Sequence, residues 1–357
     1  MNELVFRGYL RPNGQAGVRN IVLVLHTVNC SRHVAAKICA QAREEGIPAE
    51  LIGNGTCFDE QTVINRMLRL IAHGNVGAVL IVGHGCEFIQ AAPLLEFAQS
   101  QQKPADVLMD QTLGTETSIV LGMEKIRALW DSVRTLARQP LPVSMLTAGL
   151  IGASGGAAAQ AVCAFGAALL EQGGSVLISG SGGQPEQQTA LLAHTEAGPA
   201  QASLRRTLDK AAQFYACNRL APPVMPYTSL CPIRGVLKLT QAPPRRGLWY
   251  LDTLQDSKIE TGLAATCLTD EAMDFITAGA QIVLCPLTFG AVSGAVAAPM
   301  VSVCTDPEIC AEFPNELDCT DMPVLADTVL AVCDGKQTKA EALGISEGRL
   351  LACEQAR

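Results

Sequence analysis

Ile21-Val22-Leu23-Val24-Leu25-His26-Thr27-Val28-Asn29-Cys30-Ser31, running into an amphipathic stretch from Ser31 to Glu45, decides the fold. Five aliphatic residues in succession, without polar alternation, read as a strand buried on both faces. The stretch behind it carries apolar positions at spacings of three and four, the mark of a helix packed on that strand. A buried strand followed directly by a helix is half of a parallel crossover unit. The same rhythm recurs at Ala49 to Ile52, Ala78 to Val82, Asp106 to Met109, Met145 to Ile151, Ser175 to Ile178, Leu248 to Leu251, Gln281 to Cys285 and Met300 to Cys304. Helices read most clearly from Ser31 to Glu45, Glu60 to His73, Ala91 to Ser100 and Thr117 to Ala137. These patterns predict an α/β protein with two α/β domains and largely parallel sheets. Gln139-Pro140-Leu141-Pro142 reads as the linker, because successive prolines cannot continue a helix. The expected domains are residues 1–140 and 141–357, the second carrying long irregular loops between Ala221 and Arg246.

With 48% hydrophobic and 17% charged residues over 357 positions, the chain has ample apolar material for two cores. Global disorder is excluded. A net charge of -8 argues against a nucleic-acid partner. No apolar run reaches the roughly 18 residues that a membrane span needs, so no membrane partner is expected. The amino terminus lacks the cationic start and apolar core of a secretory signal, which makes the cytoplasm the expected compartment. In that setting most of the 14 cysteines read as reduced thiols. Low charge with high apolar content points to a homo-oligomer.

Ligands of parallel α/β sheets gather at the carboxyl ends of the strands. Three such ends here carry unusual residues: His26-Thr27-Val28-Asn29-Cys30-Ser31, Gly83-His84-Gly85-Cys86-Glu87, and Asp110-Gln111-Thr112-Leu113-Gly114-Thr115-Glu116-Thr117. They should converge on one crevice. Cys30 and Cys86, with His84 beside the second, offer sulfur and nitrogen donors suited to iron or zinc, although no Cys-x-x-Cys pair occurs. His26, closing an apolar strand, reads as a core histidine. Glycine-rich turns at Gly149 to Gly156, Gly180 to Gly183 and Gly290 to Gly294 can hold anions on backbone amides, yet none is a phosphate-binding fingerprint. Arg11 and Arg19 would complete a site for an acidic small molecule, since guanidinium groups hold carboxylates bidentately.

In order along the chain, Gly8-Tyr9-Leu10-Arg11-Pro12-Asn13-Gly14-Gln15-Ala16-Gly17-Val18-Arg19-Asn20, Thr27-Val28-Asn29-Cys30-Ser31, Gly85-Cys86-Glu87 and Gln111-Thr112-Leu113-Gly114-Thr115 resemble successive motifs of the altronate/galactarate dehydratase family. The likeness continues through Gly149-Leu150, Lys238, Gly247-Leu248 to Asp252, and Thr261-Gly262-Leu263. The resemblance implies a metal-dependent lyase that removes the proton beside a carboxylate and expels a β leaving group from a small hydroxylated acid. In that reading His84 and Glu87 are catalytic, and Cys30 and Cys86 hold a divalent metal, iron first, or an iron–sulfur cluster. Arg11, Arg19, Asn29, Gln111, Gly114 and Thr115 bind substrate. The family also has a small β-rich domain; this chain begins at the first motif, so a separate small subunit is the expected partner.

The departures from the family fall on its polar groups. Where relatives read Gly-Leu-Glu-Cys-Gly-Gly-Ser-Asp, this chain has Gly149-Leu150-Ile151-Gly152-Ala153-Ser154-Gly155-Gly156, and the acid-bearing turn after the next strand has become Ser179-Gly180-Ser181-Gly182-Gly183. The Glu-Lys-Ser-Leu-Gly motif survives as Tyr227-Thr228-Ser229-Leu230-Cys231, and the Thr-Thr-Gly-Arg-Gly loop as Pro286-Leu287-Thr288-Phe289-Gly290. Two readings follow: a divergent lyase centred on the amino-terminal crevice, or a catalytically silent subunit that keeps the fold and an anion pocket.

Overall fold

The computed structural model describes residues 4–152, 155–180, 184–219, 221–222, 224–227, 230, 232–254, 268–288 and 292–350. Ala153-Ser154, Ser181 to Gly183, Thr228-Ser229, Cys231, Thr261 to Leu263 and Phe289 to Ala291, all named above, lie outside the described residues.

The α/β architecture is as the strand and helix rhythm predicts. Strands β3 (Ile21–His26), β4 (Ala49–Gly53), β5 (Val76–Gly83) and β6 (Ala105–Met109) form a four-stranded sheet in the order β4-β3-β5-β6, every pairing parallel. β3 and β5 are buried along their whole length. Helices α1 (Arg32–Glu44), α2 (Gln61–Ala72) and α3 (Ala91–Ser100) make the crossovers, and α4 (Thr115–Val133) follows β6. Chain order reverses between β3 and β5, and such a switch point leaves a crevice beyond the strand ends.

The second sheet has six strands in the order β10-β11-β9-β8-β12-β13, again all parallel. They are β8 (Thr147–Leu150), β9 (Ser175–Ile178), β10 (Ile233–Lys238), β11 (Gly247–Asp252), β12 (Ile282–Pro286) and β13 (Met300–Val303). Around them lie α5 (Gly156–Glu171), α6 (Pro185–Ala193), α7 (Pro199–Asn218), α8 (Leu268–Thr277), α9 (Pro307–Glu312), α10 (Leu325–Cys333) and α11 (Lys339–Ala342). β10 falls inside the stretch expected to be irregular loop: Ile233, Gly235 and Leu237 alternate with Arg234 and Lys238, a short edge strand whose period the surrounding prolines hide.

The expected linker is a correction. Gln139–Pro142 is strand β7, paired antiparallel with β1 (Val5–Leu10), which also pairs with β2 (Ala16–Gly17). β7 is the edge of this small sheet, the position where prolines are tolerated because one side of the strand needs no donor. Phe6 and Leu141 thereby join the core of the six-stranded sheet, so the chain's start is built into its second half.

α2 and α8 lie side by side and run the same way. Arg66 forms a buried ion pair with Asp274, the Arg69 Nε donates to the Thr277 carbonyl at 3.1 Å, and His73 Nε2 lies 3.1 Å from the Ala280 carbonyl. Asn75 Nδ2, beyond the end of α2, reaches the carbonyls of Gln281 at 2.9 Å and Ala297 at 2.8 Å. Each helix starts at the carboxyl end of its sheet, so the two sets of strand ends open on the same side of the molecule. A shared apolar core, with Ile52, Met67 and Leu70 from one half and Met273, Phe275 and Val283 from the other, fixes that arrangement.

Candidate active site

The β3–β5 switch point assembles three of the loops singled out in the sequence. Gly83 ends β5, and the next residues fold into a turn around the Glu87 carboxylate. Glu87 Oε1 accepts from Thr27 Oγ1 at 2.6 Å and from the His84 amide at 3.0 Å, and Oε2 from the Gly85 amide at 2.6 Å. Gly85 has φ near 129°, a region closed to most side chains, and a Cβ there would stand 2.8 Å from Gln111 Oε1. Burial pulls the Glu87 carboxyl upward, but the hydroxyl and amide donors outweigh it and hold it below the usual glutamate range. Ionised, buried and surrounded by donors, Glu87 braces the turn that presents His84 and Cys86.

His84 Nδ1 lies 2.6 Å from Asp110 Oδ1, and the Asp110 side chain is 6% exposed against 27% for the histidine. In the tautomer that donates from Nδ1 to Asp110, Nε2 is the ring nitrogen left to accept a proton. A base oriented by a third group is the usual construction of general-base sites. Asp110 is the partner that sequence reading passed over. The signal was available: it follows β6 as His84 follows β5, and those strands are neighbours.

The loop after β4 closes over the same rim. Asn54 N donates to the His26 carbonyl at 3.0 Å, Asn54 Nδ2 to the Phe58 carbonyl at 3.2 Å, and Phe88 N to the Cys57 carbonyl at 3.0 Å. Phe58 and Phe88 stack with ring centroids 6.0 Å apart. Cys57, which the sequence reading did not select, is thus exposed beside Cys30 and Cys86, themselves exposed, and its thiol is hydrogen-bonded with that of Cys30. Desolvation first, then the neighbouring Cys30 and Cys86, raise the Cys57 thiol above its usual range. Among the described residues, no three His, Cys, Asp or Glu side chains converge as ligands of a single metal ion.

A cavity of about 360 Å³ opens at the ends of β3 and β4, lined by His26, Asn29, Arg32, Asn54 and Arg349 among others. Its floor is His26, buried and neutral: desolvation pulls its pKa down to about 4, and its Nδ1 lies 3.1 Å from the Val28 carbonyl. That is the core role its strand position suggested. Arg349 arrives from the far end of the chain, whose backbone is held by Arg66 Nη1 through the Leu350 carbonyl at 3.0 Å. Asn29 lines this cavity; Gln111 and Gly114 lie exposed in the loop between β6 and α4, and Thr115 lies exposed at the start of α4.

Arg11 and Arg19 are corrections. Arg11 is buried, with Nε donating to the Gly74 carbonyl at 2.7 Å, Nη1 to Asn20 Oδ1 at 2.8 Å and Nη2 to the Arg19 carbonyl at 2.9 Å. Burial lowers its pKa to about 10. Arg19 pairs with Glu341 at 2.6 Å and donates to the carbonyls of Val332 at 2.7 Å and Lys336 at 2.9 Å. Gly74 precedes β5 and Gly83 ends it, so both arginines sit at the opposite end of the sheet from His84. Their donors are spent on backbone carbonyls, on Asn20 and on Glu341, and the long amino-terminal motif is a clasp between halves. Arg32 and Arg349 line the cavity at the carboxyl end instead, Arg349 with its Nε 3.3 Å from Asp270 Oδ1.

The rim of the second sheet holds one carboxyl of note. Glu271, in the first turn of α8, takes a hydrogen bond from Ser179 Oγ at 2.5 Å and from the Gly152 amide at 3.2 Å, beyond β9 and β8 respectively. Burial pushes it up to about 7, against the hydrogen bonds that lower it, with Asp274 raising it further. No motif pointed to Glu271, because it comes from a helix rather than from a strand end.

Residues 8–134 match the model of the second domain of D-galactarate dehydratase/altronate hydrolase, and residues 228–354 match that of the D-galactarate/altronate dehydratase carboxyl-terminal domain. The altronate dehydratase of Bacillus subtilis (strain 168) is 30% identical over 191 residues, 49% of this chain and 38% of that protein. The altronate dehydratase of Escherichia coli (strain K12) is 31% identical over 153 residues, 40% of this chain and 31% of that protein. The aligned stretches thus span about a third of each relative. Two successive domain matches, collinear with the fold and covering both sheets, place the chain in the D-galactarate dehydratase/altronate hydrolase family.

Proposed function

We propose that this chain is a lyase of the sugar-acid dehydratase type, eliminating water or another β leaving group from a small hydroxylated carboxylic acid. The observation that carries the reading is the His84–Asp110 pair at the ends of β5 and β6, on the same rim as a cavity at the ends of β3 and β4 lined by Asn29 and Arg32 among others. Arg32 would take the substrate carboxylate, with Asn29, Gln111, Gly114 and Thr115 placing its hydroxyls. His84 Nε2 removes the proton on the carbon next to the carboxylate, and Asp110 stabilises the imidazolium that forms. The electron pair closes a carbon–carbon double bond as the β hydroxyl departs as water, taking the proton that the His84 imidazolium gives back; the enol then gains a solvent proton on the β carbon and releases its hydroxyl proton to solvent, giving a 2-oxo acid.

A divalent metal, iron first, suits the soft donors of Cys30 and Cys86, and would supply Lewis acidity to the leaving hydroxyl. A separate small subunit carrying the family's β-rich domain, and self-association, complete the proposed assembly. No helix among the described residues is long and apolar enough to cross a membrane, in keeping with a cytoplasmic setting for this chemistry.

The silent-subunit reading is favoured by the second rim, where Ile151, Gly152 and Tyr227 stand in place of the family's polar groups. Incubation of anaerobically purified protein with a panel of aldonic and aldaric acids, followed by detection of 2-oxo acids, separates the two. The lyase forms product from at least one acid; absence of product from every acid, by protein that is folded and metal-loaded, establishes the silent reading.

A further inference from the structure

We propose that a pocket at the amino-terminal ends of the six-stranded sheet binds a small phosphate ester, with the phosphate seated against Arg69 and Arg246. The pocket lies at the opposite end of the strands from the rims described above, and the inference goes beyond the lyase reading without resting on it.

The pocket has a volume of about 350 Å³, within the range of roughly 300–1,000 Å³ common for small-molecule sites. Both halves of the chain build it. Gln15 comes from the turn between β1 and β2, and Arg69 from the last turn of α2. Thr147 and Ser175 are the first residues of β8 and β9, and Gly279 follows α8. The outer wall, Ala242 to Arg246, is the loop between β10 and β11.

Three guanidinium groups line this space, and they differ in what they hold. Arg245 is engaged, its Nη2 2.6 Å from Glu196 Oε2. Arg69 uses only its Nε, on the Thr277 carbonyl at 3.1 Å; its terminal nitrogens have no partner among the described residues. Its Nη2 lies against Gly279, where a Cβ would stand 3.7 Å away. The Arg246 side chain has neither a hydrogen bond nor a carboxylate partner among the described residues. Desolvation lowers the pKa of Arg69 and of Arg246, and no carboxylate acts to raise either. A cation drawn partly out of water without a counter-charge costs free energy that a bound anion restores.

The chemistry of the lining selects the anion. Two uncompensated guanidinium groups match the charge of about -2 that a phosphate monoester carries at neutral pH, whereas a monocarboxylate would leave one of them unpaired. Guanidinium forks suit phosphate oxygens, and the buried hydroxyls of Thr147 and Ser175, without hydrogen-bond partners among the described residues, supply two further donors. Met145, Ala242, Pro243 and Ala278 give an apolar wall for the carbon part of the ester. A bound ester would thus bridge α2 of one half to the β10–β11 loop of the other.

The full chain is titrated calorimetrically at fixed ionic strength with glycerol 3-phosphate, inorganic phosphate, succinate and glycerol. Wild type should bind the ester more tightly than inorganic phosphate or succinate, and glycerol not at all. Arg69→Gln and Arg246→Gln should each weaken the ester about tenfold or more, while Arg32→Gln, at the carboxyl rim, should bind it as wild type does. Arg246 is exposed on a loop, so its variant tests the site even if Arg69→Gln folds poorly; thermal melting without ligand checks both. No binding of the ester by wild type, binding that survives Arg246→Gln, or binding lost in Arg32→Gln alone overturns the proposal. Inorganic phosphate or succinate bound in preference to the ester overturns the assignment of the ligand. Binding is read without turnover, so protein inert on every hydroxy acid sinks the lyase reading and leaves this site standing.

Discussion

The carboxyl rims of the two sheets open on the same side of the molecule but are furnished in opposite ways. The four-stranded rim concentrates polar groups on strand-end loops: His84 with Asp110, Glu87 beneath them, and three thiols around the turn. At the six-stranded rim Glu271 stands near Tyr227, Tyr250 and Cys285, all buried. One rim stabilises charge with fixed donors, and the other suppresses it by desolvation. Glu87 and Glu271 show the difference within one residue type. The first is held below the usual glutamate range by three donors, and the second is driven up to about 7 by burial. On the proposed reading, the chemistry sits at the rim with fixed donors and the other rim is left to packing.

The sharpest test of that division is His84→Ala. Removing a positioned base costs about a hundredfold to ten-thousandfold in kcat, and a loss of that size without a fall in melting temperature would keep catalysis on the four-stranded rim. Steady-state kinetics and calorimetry on the same preparation read both.

Glu271→Gln probes the other rim. Because its carboxyl titrates near 7 in the fold against 4.5 ordinarily, the native state holds that proton more tightly than the unfolded chain. Its contribution to stability is therefore whole below about pH 4.5 and is lost as pH rises to 7, a change of about 3 kcal/mol at the usual 1.36 kcal/mol per unit. Urea unfolding at pH 5 and pH 8 should show the variant less sensitive to pH than wild type by about 2.5 kcal/mol, since part of the change is already past at pH 5. An unchanged difference would remove the desolvation account of this rim.

The smallest contrast is between two arginines. Arg11→Ala strands buried backbone acceptors and should cost about 2–3 kcal/mol of stability with KM unchanged. Arg32→Ala, at the cavity, should raise KM roughly tenfold with little effect on stability. Reversed signatures would move the anion site to the opposite end of the sheet.

Strand ends and buried runs were legible because a doubly covered parallel strand writes itself as an unbroken aliphatic segment, as in Ile21 to Leu25. What escaped was whatever depends on tertiary partners. β7 is encoded by Gln-Pro-Leu-Pro, which reads as a break until β1 comes from 130 residues away to pair with it. Arg11 looks like an anion ligand because its type suits one; only the Gly74 carbonyl and Asn20 reveal that its donors are consumed. Cys57 lies in a loop without regular pattern, Asn54-Gly55-Thr56-Cys57, and its meaning comes from Phe88 across the rim. Glu271 and Arg349 reach their places from segments distant in sequence, through the α2–α8 packing and the Arg66 hydrogen bonds to the chain's last described residues.

The central claim is that the four-stranded rim performs proton abstraction and β elimination. It is tested most directly by running the reaction in deuterium oxide with anaerobically purified wild type, His84→Ala and Arg11→Ala, each given a turned-over hydroxy acid and followed by proton NMR. The account predicts a 2-oxo acid carrying one solvent deuterium on the adjacent carbon from wild type and Arg11→Ala, and neither product nor exchange from His84→Ala. Undiminished product formation by His84→Ala would contradict it.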